Sequence, residues 1–163
     1  MEKRCVIPGT FDPITLGHVD MVERASRLFE EVVLLFLVNP QKKCMFDLSD
    51  RLAMAQKSVG GLPRVRVETY GGLLNDYCAE HGVRVVIRGL RNSSDFDYEM
   101  LYFTANHAIN PGLEMLFLPT VTDHLHISSS LTRELINYGG ELKGFVPDCI
   151  IPDIQRLTRR KGN

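Results

Sequence analysis

The chain has 163 residues, 44% of them apolar and 24% charged, with a formal net charge of −1. That length suits a single domain with a sizeable core, and the balance excludes disordered and fibrous classes. Without a basic excess, general binding to nucleic acid or to an anionic membrane is not expected, so any anion site must be local.

No apolar run approaches a membrane span, and the opening Met1-Glu2-Lys3-Arg4-Cys5-Val6-Ile7-Pro8 carries no signal-peptide core. The four cysteines, Cys5, Cys44, Cys78 and Cys149, are scattered without a Cys-x-x-Cys pair. A zinc site or disulfide framework is not expected from that spacing, and isolated thiols suit a reducing compartment, so a cytoplasmic location is expected.

In chain order, Cys5–Ile7 reads as a short strand followed by a turn-rich loop. Val19, Val22, Ala25, Leu28 and Phe29 recur at helical spacing between Gly17 and Glu30. Glu31–Asn39 (EVVLLFLVN) is a strand buried on both faces, and Asp47 or Ser49 can cap a helix running to about Val59. Arg64–Tyr70 alternates as a strand, Leu73–Glu80 reads as a helix, and Val83–Arg88 (VRVVIR) as another buried strand. A longer helix over Ser94–Ile109, a strand over Glu114–Pro119 and a helix over Ser128–Tyr138 follow, and Pro147–Arg160 is helical in pattern. Strands alternating with helices, several of them almost continuously apolar, predict an α/β fold with a doubly wound parallel sheet in one domain, residues 1–163. Such sheets bind ligands in the loops leaving the carboxyl ends of the strands.

Three of those loops carry chemistry. Gly9-Thr10-Phe11-Asp12-Pro13-Ile14-Thr15-Leu16-Gly17-His18 permits close backbone approach and sets His18 in the first turn of a helix, where free N–H groups favour phosphate. An imidazole there can donate to a phosphoryl oxygen as charge builds. The string lacks the G-x-G-x-x-G of dinucleotide folds. Arg88-Gly89-Leu90-Arg91 closes a strand with two arginines that either clamp phosphate or pair with Asp95, Asp97 and Glu99. Ile127-Ser128-Ser129-Ser130-Leu131-Thr132-Arg133 gathers hydroxyls and unpaired N–H groups at a helix start, where one serine alone would be a cap. Lys42 and Lys43 add charge at the same edge.

Together the T-x-G-H loop and the I-S-S-S-x-x-R segment resemble the nucleotidyltransferase superfamily. Pro8-Gly9-Thr10-Phe11-Asp12-Pro13, Thr15-x-Gly17-His18, Lys42, Gly72-Leu73-Leu74, Arg88-Gly89-Leu90-Arg91, Asp95-Phe96-x-Tyr98-Glu99, Asn106 and Ile127–Ser130 narrow the likeness to the phosphopantetheine adenylyltransferases. The resemblance spans about residues 4–150 and implies a Rossmann-like nucleotidyltransferase fold with a C-terminal helix. It implies transfer of AMP from ATP to 4′-phosphopantetheine, giving dephospho-coenzyme A and pyrophosphate. His18, Thr10 and Lys42 would be catalytic, with Thr10, Lys42, Leu74, Arg88 and Asn106 on the phosphopantetheine side. Gly9, Thr10, Phe11, His18, Gly89, Leu90, Arg91, Glu99, His124, Leu125, His126, Ile127, Ser128, Ser129 and Ser130 would bind ATP. Mg2+ would ride on the triphosphate with no metal site in the chain itself. The resemblance also implies a homohexamer and feedback inhibition by coenzyme A.

The residues departing from the family pattern are Ile7, Asp97, His124 and His126; the last two stand where aromatic residues are usual. No candidate general base stands out, and a phosphate nucleophile, already ionised at neutral pH, needs none. Other readings are a sibling transferase acting on nicotinate mononucleotide or a phosphorylated alcohol, a non-catalytic nucleotide-binding module, and an electron carrier.

Overall fold

The computed structural model describes residues 3–161, with side chains described to residue 159. The strands are β1 (Arg4–Gly9), β2 (Glu31–Leu37), β3 (Val65–Tyr70), β4 (Val85–Leu90) and β5 (Glu114–Pro119). Between and after them run α1 (Leu16–Leu28), α2 (Leu48–Val59), α3 (Leu74–His81), α4 (Ser93–Ile109), α5 (Ser129–Asn137) and α6 (Ile151–Lys161). All strand pairs are parallel, in the order β3-β2-β1-β4-β5.

Side chains of a strand alternate between faces, and here both faces are covered. Cys5 and Ile7 of β1 join Val32, Leu34 and Phe36 of β2 in one core with Val22 and Ala25 of α1 and Met54 of α2. Val6, Val33, Leu35 and Val86 turn the other way, onto Leu74, Tyr77 and Cys78 of α3. This two-sided burial is why the strands read as continuous apolar runs rather than alternating ones.

The strand order reverses between β1 and β4, the crevice where such folds take ligands. β1 follows β2 from Arg4–Glu31 to Gly9–Phe36. Its pairing with β4 is at Val6–Val86. Further along, the Arg88 guanidinium stands between the two strands and donates to the Pro8 carbonyl at 2.8 Å. Proline has no N–H for a ladder and is ordinarily confined to sheet edges. Pro8 is tolerated in a central strand because a side chain, not a strand, meets its backbone there.

The element order matches the sequence reading, and the differences lie at the ends. β4 begins at Val85, not Val83. Gly82 takes a left-handed C-cap (φ 64°) and the Val83 N–H donates to Cys78 O, so the buried Val83 belongs to the α3 terminus. β2 stops at Leu37 because Asn39 forms a turn, accepting from the N–H groups of Gln41 and Lys42. The α2 cap is Asp47, and the tail opens with a 3-10 turn, Asp148–Ile150, before α6. α4 departs most from expectation: its buried positions are Glu99 and Asn106, while Phe96, Tyr98, Leu101 and Ile109 are exposed.

Candidate active site

A cleft of about 690 Å³ opens at the carboxyl ends of β1 and β4 and is closed at its far rim by the start of α5. That volume lies within the range of small-molecule sites.

At its centre is His18, the third residue of α1. Thr15 and His18 form a reciprocal capping box. The Thr15 backbone N–H donates to His18 Nδ1 at 3.1 Å, and the Thr15 hydroxyl lies 3.0 Å from the same nitrogen. A backbone amide can only donate, so Nδ1 must accept and the neutral ring carries its proton on Nε2. Burial, then the charges of Arg88 and Arg91, lower the His18 pKa from 6.5 to about 4. The ring is therefore a neutral donor at physiological pH, braced edge-on by Phe11 with ring centroids 5.0 Å apart.

The surrounding loop is held by bonds the sequence did not announce. The buried Asp12 carboxylate accepts from the N–H groups of Met45 (2.7 Å) and Phe46 (3.0 Å). Arg51, also buried, donates to Thr10 O at 2.7 Å and to Phe46 O at 3.1 Å. Arg133 donates to Asp12 O and to the Ser130 hydroxyl. These bonds tie the β1–α1 loop to the β2–α2 loop and to α5. Gly9 has a specific need to lack a side chain, since a Cβ would lie 2.6 Å from the Phe11 ring. Phe11 itself sits at φ 46°, a left-handed conformation that costs a non-glycine residue about 1–2 kcal/mol.

Lys42 Nζ donates to Thr10 Oγ1 at 2.8 Å, leaving the Thr10 proton free to be donated onward. Arg88 is gripped by Glu99 through two bonds of 2.8 and 2.6 Å, and its guanidinium lies 5.3 Å from the centroid of the Tyr102 ring. Arg91 is paired with Asp95 at 2.9 Å. The alternative reading of the arginines, pairing with acids, thus describes their contacts, yet both line the cleft. Ser128 is the α5 cap, its hydroxyl accepting from Leu131 N at 3.1 Å. Ser129 and Ser130 occupy the first turn behind it.

The cleft gathers Gly9, Thr10, Phe11, His18, Lys42, Arg88, Gly89, Arg91, Glu99, His124, Ile127 and Ser128–Ser130. Leu74 and Asn106 lie instead within the α3–α4 seam, both buried. Leu90 sits on the β4 end, Leu125 is exposed, and the His126 ring meets Phe145 edge-on. Phe11 lines the cleft with most of its ring sunk into the core, 3% exposed and tilted against Phe36. Glu99 is committed to Arg88. Sequence reasoning missed Arg51 and gave no role to Asp12 or Arg133. A buried acid or arginine leaves no periodic signal, although Arg133 closed the I-S-S-S-x-x-R segment.

The cytidylyltransferase-like family matches residues 6–135. Phosphopantetheine adenylyltransferase of Clostridium tetani is 42% identical over 156 residues, 96% of this chain and 98% of that protein. The protein of the same name from Actinobacillus succinogenes is 41% identical, with 99% of each chain covered. Among solved structures, Plasmodium falciparum nicotinic acid mononucleotide adenylyltransferase superposes with a TM-score of 0.71 at 15% identity, covering 100% of this chain and 99% of that one. That last likeness speaks for the fold. With near-complete coverage at about two-fifths identity, the chain belongs to the phosphopantetheine adenylyltransferase family, among the cytidylyltransferase-like proteins.

Proposed function

We infer that this chain transfers the adenylyl group of ATP to the phosphate of 4′-phosphopantetheine, releasing pyrophosphate and dephospho-coenzyme A. The observation that carries the reading is the neutral His18 ring, its Nδ1 occupied by the Thr15 amide and its Nε2–H left to donate. It shares the cleft with the Lys42–Thr10 pair, Arg91 and the start of α5. An oxygen of the substrate phosphate attacks the α-phosphorus, forming a P–O bond, while the bond to the β-phosphoryl bridge breaks. Lys42, Thr10 and Arg88 hold the attacking phosphate. His18 donates to the α-phosphoryl oxygen as charge concentrates there, and the α5 start with Arg91 cradles the leaving pyrophosphate. No proton has to be removed from the nucleophile.

Magnesium enters as part of the nucleotide substrate. Asp12, Asp20, Asp95 and Glu99 in the cleft are each engaged by the protein's own N–H groups or arginines. No cluster of three metal-binding side chains occurs among the described residues. That donor set suits a hydrated ion held by phosphate oxygens.

Coenzyme A, which carries the product's chemistry plus one phosphate, would compete for the same cleft. The exposed apolar side chains of α4 support self-association, and a homohexamer is the assembly we propose. Leu101→Glu would then yield smaller species in light scattering. Among the described residues no helix is long and apolar enough to cross a membrane, and a cytoplasmic location fits the free thiols. The deciding assay is pyrophosphate release from ATP and magnesium with 4′-phosphopantetheine, against nicotinate mononucleotide. Release with the second substrate alone would transfer the chain to a sibling activity.

A further inference from the structure

Two arginines of the cleft are held in the same way, by carboxylates one turn apart on α4. Glu99 takes the Nε and Nη2 of Arg88, leaving Nη1 to the Pro8 carbonyl. Asp95 takes the Nε and Nη2 of Arg91, each at 2.9 Å. Its Oδ2 also accepts the Arg91 backbone N–H at 3.0 Å. Asp95 is itself fixed, because the side chain of the Asn92 cap accepts its N–H at 2.9 Å. The Arg91 guanidinium is thus locked along one edge, and Nη1 is the nitrogen left over. That nitrogen meets the Ile127 carbonyl only at 3.5 Å, a long bond that an anionic oxygen can replace. Arg91, Asp95, Ile127 and Ser128 all line the cleft.

We propose that Asp95 is a positioning residue for the transfer, holding Arg91 so that its Nη1 is presented to the leaving pyrophosphate at the start of α5. This rests on the function proposed above. A free arginine side chain samples many rotamers, and a donor that stands askew stabilises less of the charge growing on the departing oxygens. Two side-chain bonds, with a third to the backbone of the same residue, leave the guanidinium one orientation. The opposite reading makes Asp95 a stand-in for phosphate that ATP has to displace. An entering phosphate would then break a two-bond grip, whereas Nη1 is reached without breaking either of those bonds. The pair is partly open to solvent, with side-chain exposures of 36% and 22%, so it adds little to stability. Its use is orientation. Because Asp95 lines the same cleft, its charge opposes binding of the triphosphate in the ground state while its grip serves the transfer.

Asp95→Asn keeps an acceptor for the Arg91 N–H and removes the charged two-bond grip. Its kcat for pyrophosphate release should fall about 5- to 30-fold, while KM for ATP holds level or falls. The variant should melt within about 3 °C of wild type, since a part-exposed pair is lost. In an Arg91→Gln background the same change should cost nothing further, because no guanidinium remains to be held. Unchanged kcat, or an equal loss in both backgrounds, would overturn the inference. A second arm needs only the wild-type chain, so a misfolded variant does not shelter the proposal. Nitrogen-15 NMR should show the Arg91 Nε–H protected from exchange both before and after α,β-methylene-ATP binds with magnesium. Loss of that protection in the complex would mean that the nucleotide displaces Asp95, and would overturn the positioning role. Wild-type protein that binds the analogue yet releases no pyrophosphate from ATP with 4′-phosphopantetheine would instead overturn the underlying function.

Discussion

The charge state of His18 is the most exposed part of the mechanism. Its pKa falls from 6.5 to about 4 through burial first and the charges of Arg88 and Arg91 next. Geometry acts in the same direction, because a proton on Nδ1 would face the Thr15 N–H donor to donor. Between those two pH values the unfolded chain binds a proton that the folded chain refuses. Folding stability therefore rises with pH through this window, by about 1.4 kcal/mol per unit and about 3 kcal/mol in all. Above the window the group contributes no pH dependence, and below it the whole penalty is in force. Nitrogen-15 NMR of the ring reports both midpoint and tautomer. The expected result is an Nε2-protonated ring at neutral pH with its midpoint near 4. Arg91→Gln should raise that midpoint, since it removes one of the two opposing charges. In urea melts, His18→Gln should flatten the loss of stability on the acid side. A midpoint near the free-imidazole value, or a proton on Nδ1 at neutral pH, would refute the donor assignment.

Arg88→Lys cannot reproduce the two-bond grip of Glu99 together with the bond to Pro8 O, and it leaves a carboxylate whose side chain is only 8% exposed. A loss of about 2–4 kcal/mol in a urea melt is expected, at the lower end for a buried pair because Arg88 itself is 23% exposed. Lys42→Met should behave oppositely. Its ammonium is exposed, so stability should move by less than about 0.5 kcal/mol while turnover falls by about two orders of magnitude. Asp12→Ala releases the Met45 and Phe46 amides and should cost about 1–3 kcal/mol, with proteolysis appearing first in the 39–46 loop.

The fold was readable because both faces of the sheet are covered. β1, β2 and β4 appear as nearly continuous apolar runs, and α1 shows a 3.6-residue stripe. α4 broke that rule, because it turns Glu99 and Asn106 inward and leaves Phe96 and Leu101 outward. A helix that serves a site on one face and awaits a neighbour on the other has no single apolar stripe to read. The catalytic loop was readable as a string because close approach to phosphate restricts the residue types allowed. Its supports were not. Asp12, Arg51 and Arg133 act across 33, 41 and 121 positions of chain. Asn75 likewise meets Asn106 31 positions away. Such pairs exist only once the topology has brought the loops together.

The electrostatics and the topology solve one problem. Two phosphate-bearing substrates have to approach each other in line, and each repels the other. A cationic general acid at the centre would ease that repulsion but would also grip the ground state as tightly as the transition state. Here the cations Lys42, Arg88 and Arg91 line the cleft as its flanks, and the His18 ring stays neutral. The flanks gather the substrates, while His18 Nε2–H responds most to the charge that grows on the α-phosphoryl oxygen during transfer. The reversal of strand order makes room for this. Where β1 and β4 part, Arg88 stands between them and bonds Pro8 O, so the sheet's own backbone holds the cation that Glu99 orients. Converting His18 to a permanent cation should then favour substrate binding over turnover. For His18→Lys, KM for ATP should stay level or fall while kcat drops by about two to three orders of magnitude. A variant with raised KM and preserved kcat would show that the centre acts by uniform binding and would sink this division of labour.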